Sequence, residues 1–165
     1  MGVSGSGKST VAEVLARKFD LKFLEADDFH SPENRAQMAA GKALNDAMRE
    51  PWINCVCCAL ELENQLGHNC ILAYSGLRRA HRQRFRELGF KTLFLHLEGE
   101  KSVIAGRMEN RQGHFMPATM LDSQFADMEP ANDEPDVISL DIDNELPMLL
   151  EKAKKLVHSV LETNG

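Results

Sequence analysis

The residues Gly2 to Ser9, GVSGSGKS, constrain the possible folds of this chain more than any other stretch. Their pattern is Gly-x-x-x-x-Gly-Lys-Ser, whose glycines let successive backbone N–H groups turn inward around a phosphate group at the start of a helix. Val11, Leu15 and Phe19 follow at four-residue spacing, which predicts a helix directly after the loop. Loop and helix together predict an α/β domain that binds a nucleotide.

Each part of this loop has a predicted role toward ATP. Lys8 is expected to reach the β- and γ-phosphates, and the Ser9 hydroxyl is expected to ligate Mg²⁺. The other contacts are expected from the loop backbone and the first helical turn. The predicted nucleotide-binding residues are Gly2, Val3, Ser4, Gly5, Ser6, Gly7, Lys8, Ser9 and Thr10.

Apolar runs alternate with helical patterns along the rest of the chain. Strands are predicted at 21–24, 69–75, 92–97 and 136–142, and helices at 11–19, 31–41, 46–66, 78–88, 101–111, 117–128 and 146–161. This alternation predicts right-handed crossovers and a parallel sheet with helices on both faces, a three-layer α/β fold. We expect one domain spanning residues 1–165.

The composition narrows the class of protein. A hydrophobic fraction of 43% and a charged fraction of 27% are typical of a globular enzyme, and no apolar run approaches the ~20 residues of a membrane span. The net charge of −6 argues against general affinity for nucleic acid. The start lacks the features of a signal peptide, so a cytoplasmic location without membrane or nucleic-acid partners is expected.

Two further features have a structural interpretation. The four cysteines, Cys55, Cys57, Cys58 and Cys70, lack metal-ligand spacing and are expected to be reduced thiols packed in the core. The basic segment from Leu77 to Gly89 is expected to be the solvated face of a helix, or to bind a small anion.

Missing motifs exclude two classes of nucleotide-binding protein. Neither Asn-Lys-x-Asp nor Asp-x-x-Gly, which a guanine-nucleotide switch needs, occurs in the sequence. The second predicted strand ends in Tyr74-Ser75 rather than in the Asp-Glu of an ATPase motor. Phosphoryl transfer to a small molecule is the remaining prediction.

Five stretches resemble the gluconate kinase family, the thermoresistant gluconokinases. They are GVSGSGKST, EADDFHSPENRAQMAAGKALND, MREPW, RQGHFMPATMLDSQF and EPANDEPDVISLDID. The resemblance implies a P-loop kinase fold related to shikimate and adenylate kinases, with a mobile lid at about residues 107–120. It also implies phosphorylation of D-gluconate at O6 with ATP and Mg²⁺. Family members are often dimers, which suggests a homodimer.

The resemblance assigns roles at the acceptor side of the site. Asp27 matches the second acid of the family's Asp-Gly-Asp motif, and a carboxylate there could accept the proton of the acceptor hydroxyl. His30 is expected to bond a sugar hydroxyl, and Arg49 is expected to lie near the sugar acid. Arg78 is also expected to bind substrate, within YSGLRR, where the family has Cys-Ser-Ala-Leu-Lys-Arg. A guanidinium can grip a carboxylate at two points where ammonium acts as one.

The departure at YSGLRR leaves alternatives open. The acceptor could be another small hydroxy acid, such as shikimate, or a nucleoside monophosphate. A protein that binds a nucleotide without catalysis is a further alternative.

The lid carries the remaining predicted site residues. Arg107 and Arg111 lie four apart and would share one helix face, and both are expected to neutralise charge on the transferring phosphoryl group. Gly113 is a predicted hinge, and His114 is expected to bind substrate.

The start of the sequence departs from the family pattern. The family has a short apolar strand before the phosphate loop, whereas only Met1 precedes Gly2 here. We expect this first, central strand to be missing from the recorded sequence, as about four to six apolar residues preceding Met1.

Overall fold

The computed structural model describes residues 1–109 and 120–162, in which strands and helices follow the predicted order. The strands are β1 (Lys22–Glu25), β2 (Cys70–Ala73), β3 (Phe94–Glu98) and β4 (Val137–Asp141). The helices are α1 (Lys8–Phe19), α2 (Pro32–Ala39), α3 (Asp46–Gln65), α4 (Arg79–Arg86), α5 (Lys101–Glu109), α6 (Leu121–Asp127) and α7 (Leu146–Glu162). A 3₁₀ turn, Ala26–Phe29, follows β1 directly.

Capping side chains set the starts of two helices. The hydroxyl of Ser31 accepts a hydrogen bond from the Asn34 amide at 3.2 Å, and Pro32 occupies the first helical position of α2. Asn45 caps α3 in the same way, through the Met48 amide at 2.9 Å. Both helices therefore start where local side chains satisfy their free amides.

All strand pairs in the described part of the chain are parallel. Strand β1 pairs with β2, and β3 pairs with β4. Between the two pairs lies Met1, whose amino group donates to the Leu95 carbonyl at 2.5 Å and whose carbonyl accepts from the Leu97 amide at 2.8 Å. On the other side the Gly2 amide donates to the Ser75 carbonyl at 2.9 Å.

An apolar cavity of about 220 Å³ lies beside Met1 and is lined by side chains of both strand pairs. It separates β2 from β3, and the two sheets in the described residues have the orders β1-β2 and β3-β4.

Two apolar cores lie on opposite faces of the strands. Helices α1, α5 and α7 contribute to one core, with Leu15, Ile104 and Ala153 packed around Leu97 and Leu140. Helices α3 and α4 contribute to the other, which contains Ala26, Trp52, Ile53, Val56, Phe85 and Phe94. The predicted three-layer α/β architecture is confirmed. Among the described helices, none combines the length and apolar character that crossing a membrane requires.

The prediction for the cysteines is partly wrong. All four are free thiols, and Cys57 is buried, but Cys55 and Cys58 are exposed. The two exposed thiols lie three residues apart on α3, so they share the face opposite Ile53 and Val56. The cysteines stand among apolar residues in the sequence, so the sequence does not show that they lie on the exposed face of the helix.

The interpretation of the basic segment also changes. Arg82 is completely buried and donates two N–H groups to Glu134, at 2.5 and 3.1 Å. Arg86 binds Glu134 and Asp136, and Arg79 binds Asp133. These arginines tie α4 to the loop before β4, and of the three only Arg79 is also exposed to solvent.

Candidate active site

The phosphate loop has the backbone geometry that its glycines predict. Gly7 has φ 97° immediately before α1, and apart from its chain neighbours no heavy atom lies within 4 Å of where its Cβ would be. A Cβ at Gly5, where φ is 81°, would come within 2.5 Å of the Met108 side chain of α5. Larger residues would therefore strain the loop or displace α5.

Polar groups of the loop remain available to an anion. Gly7 supplies no side-chain cap, so the first amides of α1 lack one at the positive end of the helix dipole. The Ser6 hydroxyl is buried, and among the described residues it has no hydrogen-bond partner. Lys8 Nζ donates to the Val3 carbonyl at 3.0 Å, which places the ammonium across the loop. This cradle fits the phosphates of a nucleotide.

A side chain of helix α6 forms a hydrogen bond with the backbone of the phosphate loop. The Ser4 amide donates to Gln124 Oε1 at 2.6 Å, and the bond is buried. This amide therefore has a protein partner, while neighbouring amides can face a ligand.

A hydroxyl and a carboxylate meet at the base of the loop. Ser9 Oγ donates to Glu25 Oε2 at 2.5 Å. Burial raises the pKa of Glu25, and the Ser9 hydrogen bond opposes that rise. Two oxygens of this kind fit Mg²⁺, which binds few protein ligands and keeps waters and phosphate oxygens. No group of three or more His, Cys, Asp or Glu side chains that could hold a metal ion occurs in the described part of the chain.

Asp27 and His30 lie together after β1. Asp27 Oδ1 is 3.9 Å from His30 Nε2, and the imidazole stacks on Trp52 with ring centroids 4.2 Å apart. Trp52 Nε1 donates to the Ala26 carbonyl at 2.7 Å, which fixes this stack. Burial lowers the pKa of His30 to about 4, so the ring is neutral at pH 7. Its Nδ1 is buried and has no hydrogen-bond partner among the described residues, so it can bond a ligand hydroxyl.

Arg49 and Arg78 converge on one carboxylate. Arg49 contacts Asp127 Oδ2 through Nη2, and Arg78 Nη2 lies 3.1 Å from Asp127 Oδ1. Asp46 contacts both arginines, at 3.2 Å from Arg49 Nη1 and 3.4 Å from Arg78 Nε. Two guanidinium groups placed side by side can bind a carboxylate ligand.

The tyrosine in YSGLRR is a core residue. Tyr74 is 4% exposed, its ring lies 5.6 Å from that of Trp52, and its hydroxyl pairs with His81 at 3.1 Å. Burial raises the pKa of Tyr74 far above its ordinary value. Tyr74, which departs from the family pattern, therefore packs against Trp52 in the core.

The structure groups the predicted site residues in three places, with exceptions in the lid: the phosphate loop with Ser9, Asp27 with His30, and Arg49 with Arg78. Arg107 donates through Nη2 to the Ile142 carbonyl at 2.8 Å, after the end of β4, and is exposed. Arg111, Gly113 and His114 lie outside the described residues. Their roles and the lid stay predictions.

Several residues that contact the predicted site residues were not themselves predicted. Glu25 could have been found, because it is the first acid of EADD at the end of a strand. Gln124 and Asp127 gave no local signal, since their partners lie 120 and 78 residues away in sequence.

Comparison with known proteins assigns the chain to a family. A family model described as an AAA domain matches residues 1–135. The chain is 37% identical over 167 residues to a probable gluconokinase of Xenopus tropicalis, covering 92% of this chain and 88% of that protein.

Solved structures give the same result. A sugar kinase from Janibacter sp. HTCC2649 is 42% identical with a TM-score of 0.90, covering 96% of this chain and 91% of that one. A gluconokinase from Sinorhizobium meliloti 1021 is 33% identical with a TM-score of 0.86, covering 99% and 93%. With its phosphate loop and these relatives, the chain belongs to the gluconokinase family of P-loop kinases.

Proposed function

We propose that this protein transfers the γ-phosphoryl group of ATP to O6 of D-gluconate, giving 6-phosphogluconate and ADP. The observation that carries the proposal is that one helix, α6, contacts both the phosphate loop and the arginine pair. Gln124 of α6 binds the phosphate loop through Ser4, and Asp127, one turn later, contacts Arg49 and Arg78. The nucleotide site and a carboxylate-binding arginine pair are thus held by a common element.

The phosphate loop would bind the donor. Its amides and Lys8 neutralise charge on the β- and γ-phosphates, with Gly2 to Thr10 surrounding them. Ser9 and Glu25 are the residues that would hold Mg²⁺ and its water, and the charge of the ion would offset that of the phosphate oxygens.

The acceptor would lie between Asp27 and the arginine pair. Arg49 and Arg78 bind its carboxylate, and the neutral His30 bonds a hydroxyl through Nδ1. Asp27 accepts the O6 proton as O6 bonds to the γ-phosphorus and the bond to the β,γ-bridging oxygen breaks. Arg107, Arg111 and His114 would complete the site from the lid. A homodimer stays a prediction.

A coupled assay of ADP formation tests this proposal. The full chain receives ATP and Mg²⁺ with D-gluconate, shikimate or a nucleoside monophosphate, and we expect turnover with gluconate. Turnover confined to shikimate or nucleotides would contradict the proposed acceptor, and tight ATP binding without turnover would favour a non-catalytic protein.

Lys8→Ala provides the matching variant. It should lower turnover at least about 100-fold, because one preorganised charge on the transferring group is lost, and should leave the fold intact. Lys18→Ala, at the exposed end of α1, is the control and should keep wild-type activity.

A further inference from the structure

Both arginines of the proposed acceptor site are already engaged by carboxylates of the protein. Arg49 is 8% exposed and contacts Asp46 and Asp127. Arg78 contacts the same two acids and also lies 3.7 Å from Glu129. Asp127 uses one oxygen for each guanidinium, which is how the carboxylate of a bound sugar acid would bridge them.

The positive charges of this cluster are compensated without a ligand. The two arginines face Asp46 and Asp127, and Arg78 also faces Glu129, so an anionic acceptor meets no net positive charge from these groups. One donor is only weakly engaged, because Arg78 Nε is buried and lies 3.4 Å from Asp46 Oδ1 but makes no hydrogen bond among the described residues. The carboxylate of an entering acceptor can pair fully with Arg49 and Arg78 only when it displaces Asp127 from them.

We propose that Asp127 is a specificity-determining residue, a built-in carboxylate that an anionic acceptor must displace from Arg49 and Arg78. The inference rests on the proposed function, in which these arginines bind the carboxylate of the acceptor. Asp127 weakens binding of every anionic acceptor by competition. It leaves uncharged polyols unaffected, because they do not compete for the arginines.

Asp127→Asn tests the competition, since it removes the charge and keeps the shape. Isothermal titration calorimetry of the full chain would measure the Kd of D-gluconate and of D-glucitol, in which CH₂OH replaces the carboxylate. We expect about fivefold tighter binding of gluconate, the gain expected from a partly buried ion pair, and unchanged binding of glucitol. Asp122→Asn, on the same helix and paired with Lys101, is the matched control and should change neither Kd.

Unchanged or weaker gluconate binding by folded Asp127→Asn would overturn the inference, and equal weakening for both ligands would assign Asp127 a structural role instead. If this variant does not fold, Asp46→Asn replaces it, because Asp46 contacts the same arginines from an exposed position. It should tighten gluconate binding about twofold, and no tightening would contradict the inference.

Failure of the proposed function gives a different pattern. If the proposed function is wrong, wild-type protein binds no gluconate. The inference still requires that Asp127→Asn bind at least one six-carbon sugar acid. Absence of binding in both proteins would overturn the inference as well.

Discussion

Gln124 Oε1 accepts the backbone hydrogen bond of Ser4 at 2.6 Å, in a buried contact between α6 and the phosphate loop. Gln124→Leu would keep the volume and leave the Ser4 amide unpaired. We expect the free energy of unfolding to fall by about 1–3 kcal/mol, as measured in urea, and ATP to bind more weakly. Ser123→Ala removes only a hydroxyl bonded to the Met120 carbonyl and is the control. Wild-type stability in Gln124→Leu would show that the bond contributes nothing.

Glu25→Gln should raise the thermal stability at pH 7 while lowering the activity. Burial raises the pKa of Glu25, so the folded state holds its proton more tightly than the unfolded state does. The stability contribution of the protonated form is present below the unfolded pKa and is lost as pH rises through the folded pKa. We therefore expect Glu25→Gln to have a higher Tm than wild type at pH 7, an equal Tm near pH 4, and lower activity with Mg²⁺.

Thermal unfolding between pH 4 and 8 checks this prediction. Exposed Glu61→Gln is the control and should follow the wild-type curve. A lower Tm of Glu25→Gln at pH 7 would mean that the bond from Ser9 outweighs the cost of burial.

His30 should remain neutral throughout the range in which enzymes are usually assayed. Burial lowers its pKa to about 4 from an unfolded value near 6.5. Stability from the neutral ring is present above pH 6.5 and is lost as pH falls toward 4, because the unfolded state then binds the extra proton. NMR titration of the ring should show its midpoint near pH 4, against a midpoint near 6.5 in urea-unfolded protein. A folded midpoint at or above 6.5 would contradict the predicted shift and would leave part of the His30 population charged beside the acceptor at neutral pH.

Arg82→Met should be among the most destabilising substitutions. Arg82 is completely buried, and its loss removes a cation from Glu134, which is 7% exposed and would keep only its contacts with Arg86 and Arg79, and takes a buried donor from the Gly76 carbonyl. Breaking one partner of such a pair costs about 3–5 kcal/mol, or a fall in Tm of roughly 6–20 °C. Arg84→Met, which breaks the exposed contact with Glu50, should cost about 1 kcal/mol or less. Similar Tm values for both variants would contradict the role of burial.

Local patterns were enough to predict the order of the elements. Helical periodicity of the apolar residues locates α1, and apolar runs locate the four strands. The Ser31-Pro32 pair marks the start of α2. Each of these signals acts within about four residues. The phosphate loop was predictable for the same reason. Glu25 lay within reach of this reasoning, because it ends β1 beside a predicted site residue.

Contacts between distant segments were not predictable. The side chains that face Arg49 and Arg78 come from α3 and α6, and only the packing of those helices brings Asp127 to both. The partners of Arg82 lie about fifty residues further along the chain. A single sequence offers no periodicity that pairs such residues, so α4 looked solvated.

The position of Met1 and Gly2 has a consequence for cooperativity. Backbone hydrogen bonds from these two residues reach β3 on one side and Ser75, beyond β2, on the other, so they bridge two separate ladders. The phosphate loop begins at the same point, so a nucleotide held there would restrain both halves of the molecule. Amide hydrogen exchange should therefore slow in β2 and β3 together when ATP is added. The rigidity of this sheet would then be set by the concentration of nucleotide around it.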